Sequence, residues 1–196
     1  EPDEWDLDVV LTSSQKAFAL PPGLAFAAVS ERAFEKAKTV PGRGYYFDYL
    51  TLEKYLLKDQ TPATPAISLL YALDVQLDAM LEETMDGRWQ RHLAMRDRTR
   101  SWAKSRGFDL LTEEQYGSPT VTTVSNTHNI SISELNKFLR QRGMILSNGY
   151  GALKEKTFRI GHMGDWQLSD IDELLGHIDN FLREQGLLTA EATAAA

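Results

Sequence analysis

Val9-Val10-Leu11-Thr12-Ser13-Ser14-Gln15-Lys16, with Pro21-Pro22-Gly23 and Leu24-Ala25-Phe26-Ala27-Ala28-Val29 behind it, is the stretch whose reading decides the fold. The β-branched and apolar run at 9–11 predicts a buried strand ending in a polar cluster. Pro21-Pro22-Gly23 predicts a turn, and Leu24–Val29 a second buried strand. Lys16 therefore stands just past a strand end, behind Ser13, Ser14 and Gln15. Partial desolvation there lowers an amine's pKa and favours the neutral nucleophile, which forms Schiff bases with aldehydes. The neighbouring hydroxyls and amide could hold a phosphate. From spacing alone, most lysines at strand ends are solvated surface residues. Ser13-Ser14-Gln15-Lys16 also matches the S-x-x-K pattern of serine acyl-transferring enzymes. The companion S-D-N and K-T-G motifs are absent, and Pro21-Pro22 argues against a long helix there.

Working outward, Ser30 predicts the cap of a helix through Lys38. Pro41-Gly42-Arg43-Gly44 breaks the chain before an aromatic-rich helix or turn, Tyr45 to Lys58. Gln60-Thr61-Pro62-Ala63-Thr64-Pro65 predicts a rigid loop, with Thr64 as N-cap and Pro65 in the first helical position. Ile67, Leu70, Leu73, Leu77, Met80 and Leu81 recur at helical spacing, predicting a long amphipathic helix to about Glu83. Gly87 to Arg106 predicts a more polar helix that Gly107 ends. Strands are then expected at Phe108–Leu111, Thr120–Val124, Met144–Leu146 and Thr157–Ile160. Ser131-Ile132-Ser133-Glu134 reads as a capping box opening a helix to about Arg142. A last helix opens at Ser169–Asp172 and turns Leu174, Leu175, Ile178, Phe181 and Leu182 inward.

Composition narrows the function. The 196 residues are 42% hydrophobic and 25% charged, ordinary for a globular protein. Net charge is −7 and no basic run marks a nucleic-acid footprint. The absence of cysteine excludes disulfides, thiolate zinc sites and cysteine nucleophiles, and fits a reducing compartment. No apolar stretch approaches the roughly 20 residues of a membrane span, and no signal peptide is visible. A cytoplasmic location is expected. The chain opens on Glu1 and reaches a strand almost at once, so a piece of a longer protein, or a processed chain, is expected.

Arg159 lies between Phe158 and Ile160 in an apolar strand. There it either points out to solvent or pairs with an anion, and its planar fork suits a bidentate carboxylate. Pattern alone favours solvation. Gln60, Thr61 and Thr64 could bind phosphate oxygens, although helix capping explains Thr64 by itself. Gly149-Tyr150-Gly151 could bring backbone close to a ligand, although a plain glycine turn is more common. The four histidines form no metal spacing. His92 and His177 are expected on helix surfaces, and His162 beside the Arg159 cleft without a catalytic role.

These signals occur together in a recognisable order. Ser14-Gln15-Lys16-Ala17 with Pro21-Pro22-Gly23-Leu24-Ala25 resembles the cofactor-lysine segment of class V aminotransferases. Thr61-Pro62-Ala63-Thr64-Pro65-Ala66 resembles the phosphate-contacting loop these enzymes lend across a dimer. Asn148-Gly149-Tyr150-Gly151 and Phe158-Arg159-Ile160-Gly161-His162-Met163-Gly164 resemble their substrate-carboxylate segment. The likeness runs from about Asp8 to Leu187 and is nearest to the alanine/serine–glyoxylate or serine–pyruvate transaminases.

The resemblance implies an α/β fold, the C-terminal portion of a pyridoxal-phosphate fold type I transferase. Residues 1–60 would end the large mixed-sheet domain, 61–106 would be connecting helices, 107–188 a small α/β domain and 189–196 a disordered tail. It implies pyridoxal 5'-phosphate as cofactor, a homodimer with shared active sites, and small amino acids and 2-oxo acids as substrates. Lys16 would hold the cofactor as a Schiff base and carry the proton between the substrate α-carbon and the cofactor. Gln15 and Ser14 would lie beside the cofactor. Gln60 and Thr61, or Thr64 if the register differs, would reach the phosphate of the neighbouring subunit's cofactor. Arg159 would clamp the substrate carboxylate. The acid that pairs with the pyridine nitrogen in this family lies upstream of the lysine, and Asp8 is too close to Lys16 to replace it, so the chain alone is expected to be inactive. Phosphoserine transamination, a non-catalytic dimerisation module and another class V reaction such as a β-lyase remain open. A desulfurase would want a mobile cysteine, which the chain lacks.

Overall fold

The computed structural model describes residues 2–188, so the expected tail at 189–196 lies outside the described residues. The chain divides into two compact units, the first ending at Ala79 and the second beginning at Met80.

In the first unit, β1 (Val9–Ser13) and β2 (Ala25–Val29) pair antiparallel, with Val9 opposite Val29 and Ser13 opposite Ala25. Both strands form where expected, but they are not buried: Val9 is 39% and Leu11 70% exposed. A two-stranded ribbon leaves both faces uncovered unless another layer packs on it, and among the described residues no third strand joins this one. Helix α1 (Glu31–Thr39) starts at Ser30, whose hydroxyl accepts the Ala33 N–H at 3.1 Å and donates to Asp8 at 2.6 Å. The aromatic stretch yields helix α2 (Tyr49–Leu56), and α3 (Ile67–Glu83) follows the proline loop. Thr64 is not its N-cap: the Ala66 carbonyl accepts the Leu70 N–H at 3.0 Å, so the helix opens two residues later than the Thr-Pro signal predicts.

The second unit has its own core. Helix α4 (Met85–Ser105) begins after a break at Thr84, which takes φ 66° and caps Gly87 N–H at 3.1 Å. Gly107, at φ 75°, ends it as expected, and the Phe108 N–H closes back on the Ala103 carbonyl at 2.9 Å. Strands β3 (Asp109–Leu110), β4 (Val121–Ser125), β5 (Ser147–Asn148) and β6 (Thr157–Gly161) form an antiparallel sheet in the order β3-β4-β6-β5. Helix α5 (Ile132–Arg140) is capped by Ser131, and α6 (Leu168–Glu184) opens with a capping box between Gln167 and Asp170, just ahead of the expected Ser169. The expected strand Met144–Leu146 does not form. Pairing starts only at Ser147, because Leu146 turns its side chain into the core and its N–H bonds the Asn136 side chain at 3.0 Å.

Trp102, Phe108, Val124, Phe158 and Ile160 pack with Ile132, Leu135, Leu139, Ile171, Leu175, Ile178 and Leu182 into one cluster. Each such side chain contributes about 1.5–3 kcal/mol when fully buried. Phe108 stands at its centre, with ring centroids 5.8 Å from Trp102 and 5.4 Å from Phe158. Asp179 of α6 is buried there, but it accepts from Trp102 Nε1 at 2.8 Å and from Arg106 Nε and Nη2 at 3.0 and 2.9 Å. A buried charge paired and hydrogen-bonded this way ties α6 to the end of α4.

Candidate active site

Lys16 sits in a loop built on Ser14. The Ser14 side chain is buried; its hydroxyl donates to the Pro21 carbonyl at 2.7 Å and accepts the Leu24 N–H at 3.2 Å. Its backbone N–H reaches Leu24 O at 3.0 Å, and its carbonyl takes Leu20 N–H at 2.9 Å. Phe18 packs on Phe26 with centroids 5.0 Å apart. The polar run after β1 is therefore a closed loop, and Ser14 spends its hydroxyl holding it. Gly23 lets α3 approach: a Cβ there would lie 2.5 Å from Leu69 Cδ1. Gln15 and Lys16 stand exposed on this loop, and among the described residues the Lys16 ammonium has no ion-pair partner.

Gln60, Thr61 and Thr64 lie on the exposed loop before α3. The Gln60 N–H bonds the Tyr55 carbonyl at 3.0 Å, and the Thr61 hydroxyl donates to Ala63 O at 2.7 Å. Among the described residues no hydrogen bond engages the Gln60 or Thr64 side chain.

Arg159 belongs to the second unit. It lies at the middle of β6, opposite Thr123 of β4 and Ser147 of β5, and is half-buried. Pattern alone favoured a solvated arginine; instead the guanidinium is held in place. Its Nη2 donates to the Asn148 carbonyl at 3.3 Å, and its carbon lies 4.2 Å from the centre of the Tyr150 ring. Among the described residues its Nε is buried without a hydrogen-bond partner. A guanidinium stacked on an aromatic ring and tethered through one nitrogen is held in a fixed direction, as a carboxylate clamp requires.

The segment after Arg159 is fastened from α4. Arg88 bonds Asp165 at 3.0 Å and Glu83 at 2.8 Å. Arg91 bonds Gly164 O at 3.0 Å, Trp166 O and Glu83. The Arg91 and Arg88 guanidinium groups hold the Glu83 carboxyl down at about 2 against the opposing effect of its burial. His92 was expected on a helix surface but is buried, 3.3 Å from the Gly164 carbonyl; burial lowers its pKa. His162 is fully buried, with Nε2 2.9 Å from the Thr122 hydroxyl, and burial pushes it down to about 4. Both therefore act as neutral packing groups behind the Arg159 segment. His177 does lie on α6, paired with Glu173 at 3.6 Å.

Two site features escape sequence reasoning. Glu155 sits in Lys154-Glu155-Lys156, which reads as a solvated charge run, yet its carboxylate is spent on hydrogen bonds to Ile132, Ser133 and Asn148. The inward face of α4 carries Arg88, His92, Thr99 and Arg100, polar residues that give no apolar stripe to read. Among the described residues no cluster of histidine, aspartate and glutamate could hold a metal, and no helix is long and apolar enough to cross a membrane.

The chain is 36% identical over 193 residues to an uncharacterized aminotransferase of Methanocaldococcus jannaschii, covering 97% of this chain and 50% of that protein. It is 35% identical over 187 residues to serine–glyoxylate aminotransferase of Arabidopsis thaliana, covering 94% of this chain and 47% of that one. Its fold matches the crystal structure of pyridoxamine–pyruvate aminotransferase from Mesorhizobium loti with a TM-score of 0.87 at 29% identity, over 95% of this chain and 49% of that one. The chain thus spans about half the length of the relatives it matches. The model of the class V aminotransferases matches residues 1–173, and the chain belongs to that family.

Proposed function

We propose that the full-length protein containing this chain is a pyridoxal-phosphate-dependent transaminase that moves an amino group from a small amino acid, alanine or serine, to a 2-oxo acid such as glyoxylate or pyruvate. The match of the class V aminotransferases to residues 1–173 carries the reading, and Lys16, exposed in this chain on a loop closed by buried Ser14 and not desolvated as its strand-end place predicts, stands where the resemblance puts the cofactor lysine. Its side chain is open to an aldehyde, and hydrogen bonds from Ser14 close the loop beneath it. The Arg159 guanidinium, half-buried and oriented by Tyr150 and Asn148, suits the acid end of an amino-acid substrate. Family membership and the relatives' names support both assignments.

The residues present fit a pyridoxal group. Lys16 Nζ would hold its aldehyde carbon, Gln15 would lie beside it, and Ser14 would act by fixing the loop. Gln60, Thr61 and Thr64 would serve the phosphate, in the homodimer that the family resemblance implies. When bound, pyridoxal phosphate delocalises the electron pair left by the breaking Cα–H bond. Arg159 binds the substrate carboxylate and so orients the α-carbon. Lys16 Nζ takes the α-proton and returns it, as general base and then acid. By the same reading residues 1–60 end a cofactor-binding domain, 61–106 connect, and 107–188 form the small domain, in a cytoplasmic enzyme.

The full-length protein should develop visible absorbance with pyridoxal phosphate, and Lys16→Ala should abolish it. Assays with alanine, serine and phosphoserine against glyoxylate, pyruvate and 2-oxoglutarate identify the substrates. Activity with phosphoserine alone would replace the small-amino-acid reading, and absence of transamination with every pair would end it.

A further inference from the structure

Glu155 has a φ of 61°, a left-handed conformation that a glutamate avoids and a glycine adopts freely. A residue kept there against its backbone preference draws attention to its side chain. The Glu155 carboxylate accepts from the Ser133 hydroxyl at 2.7 Å, the Asn148 side-chain amide at 2.6 Å and the Ile132 N–H, at the start of α5, at 2.7 Å. Burial alone would raise its pKa; the bonds from Ser133, Asn148 and Ile132 outweigh that and keep the carboxyl below the usual range. The backbone joins in: Glu155 N–H donates to Asn148 Oδ1 at 2.9 Å, and Glu155 O accepts from the Asn126 amide at 2.7 Å.

Asn148 is therefore gripped through both ends of its side chain by one residue. Its backbone carbonyl is the acceptor of Arg159 Nη2, and Tyr150, two residues on, is the ring on which that guanidinium stacks. Gly149 between them admits no side chain, since a Cβ would lie 2.1 Å from the Leu153 carbonyl oxygen. The loop thus closes tightly around the Glu155–Asn148 contact.

We infer that Glu155 is a positioning residue which, through Asn148 and the loop bearing Tyr150, aims the Arg159 guanidinium at the substrate carboxylate. The inference rests on the proposed role of Arg159. Glu155→Gly in the full-length protein relieves the backbone strain while removing the carboxylate, so it separates positioning from folding. The expected result is a rise of about five-fold in KM for alanine or serine, the worth of one lost hydrogen bond. Relief of the left-handed φ offsets part of the three lost hydrogen bonds, so the melting temperature should fall only modestly; kcat should change little, and ethylamine, which lacks the carboxylate, should react with the bound cofactor at an unaltered rate. An unchanged amino-acid KM, or an equal loss with ethylamine, would overturn the inference. If the glycine variant does not fold, Glu155→Gln serves: its KM should rise about two-fold for one weakened bond, and an unchanged KM counts against the inference. Arg159→Ala is the parallel control. If it raises KM and neither Glu155 variant does, only the positioning role falls. If it leaves KM unaltered, the proposed carboxylate clamp falls and the positioning role with it.

Discussion

The two units of the chain differ in where their apolar residues go. Every buried hydrophobic side chain among the described residues lies at Met80 or beyond, while the first unit buries only Ser14 and Asp48. The second unit closes a four-stranded sheet and its helices around an aromatic centre. The first holds the candidate cofactor lysine on a two-stranded ribbon with exposed faces. Local hydrogen bonds close loops and cap helices in both, as the Ser14 loop and the Ser30 cap show in the first unit and the Ser131 cap in the second. Secondary structure and a rigid loop therefore need only short-range bonds, whereas stability needs burial, and in this chain burial belongs to the second unit.

The sharpest way to break that contrast is a pair of truncations. Phe158→Ala should destabilise the chain by about 3–5 kcal/mol, whereas Leu11→Ala should cost about 0.5 kcal/mol or less because its side chain is already in water. Urea denaturation followed by circular dichroism measures both. Equal costs would show that the first unit has a hidden core.

Mild acid should act next, through the buried histidines of the second unit. His162 is neutral when folded, with its pKa near 4, below the unfolded value of about 6.5. The unfolded chain therefore takes up the proton first. Stability is fully present above about pH 6.5 and falls with pH toward 4, by about 3 kcal/mol in all. Melting curves across that range should show the loss, and His162→Gln should remove most of it, leaving the share due to buried His92. A stability independent of pH there would contradict the buried, neutral assignment.

The caps give the smallest effect and refine the comparison. Ser131→Ala should cost about 1 kcal/mol, since the Glu134 N–H loses its acceptor. Ser30→Ala should melt α1 alone and leave the amide-exchange protection of the second unit untouched. Spread of its effect beyond Met80 would show that the units unfold together.

What the sequence discloses follows the same division between local and distant causes. Ser30, Ser131 and Gly107 mark helix ends because capping is decided within a few residues. The α/β class and the strands at Val9, Ala25, Val121 and Thr157 are legible from apolar runs. Thr64 misleads because a Thr-Pro pair also signals a loop, and the helix waits for Ile67. Met144–Leu146 misleads because an apolar run can enter a core without pairing. His92 is hidden because what buries it, the Gly164 segment, lies far along the chain. In the site, the resemblance singles out Lys16 and Arg159, yet what holds each was illegible. The Ser14 contacts to Pro21 and Leu24, and the Glu155–Asn148 grip, depend on how the loops close.

The central claim is that Lys16 carries the cofactor. Borohydride reduction of the full-length protein with pyridoxal phosphate, followed by peptide mapping, tests it directly. Pyridoxyl label on the peptide bearing Lys16, and its loss in Lys16→Ala, is the predicted result. Label fixed on another lysine, or none retained after reduction, would contradict it.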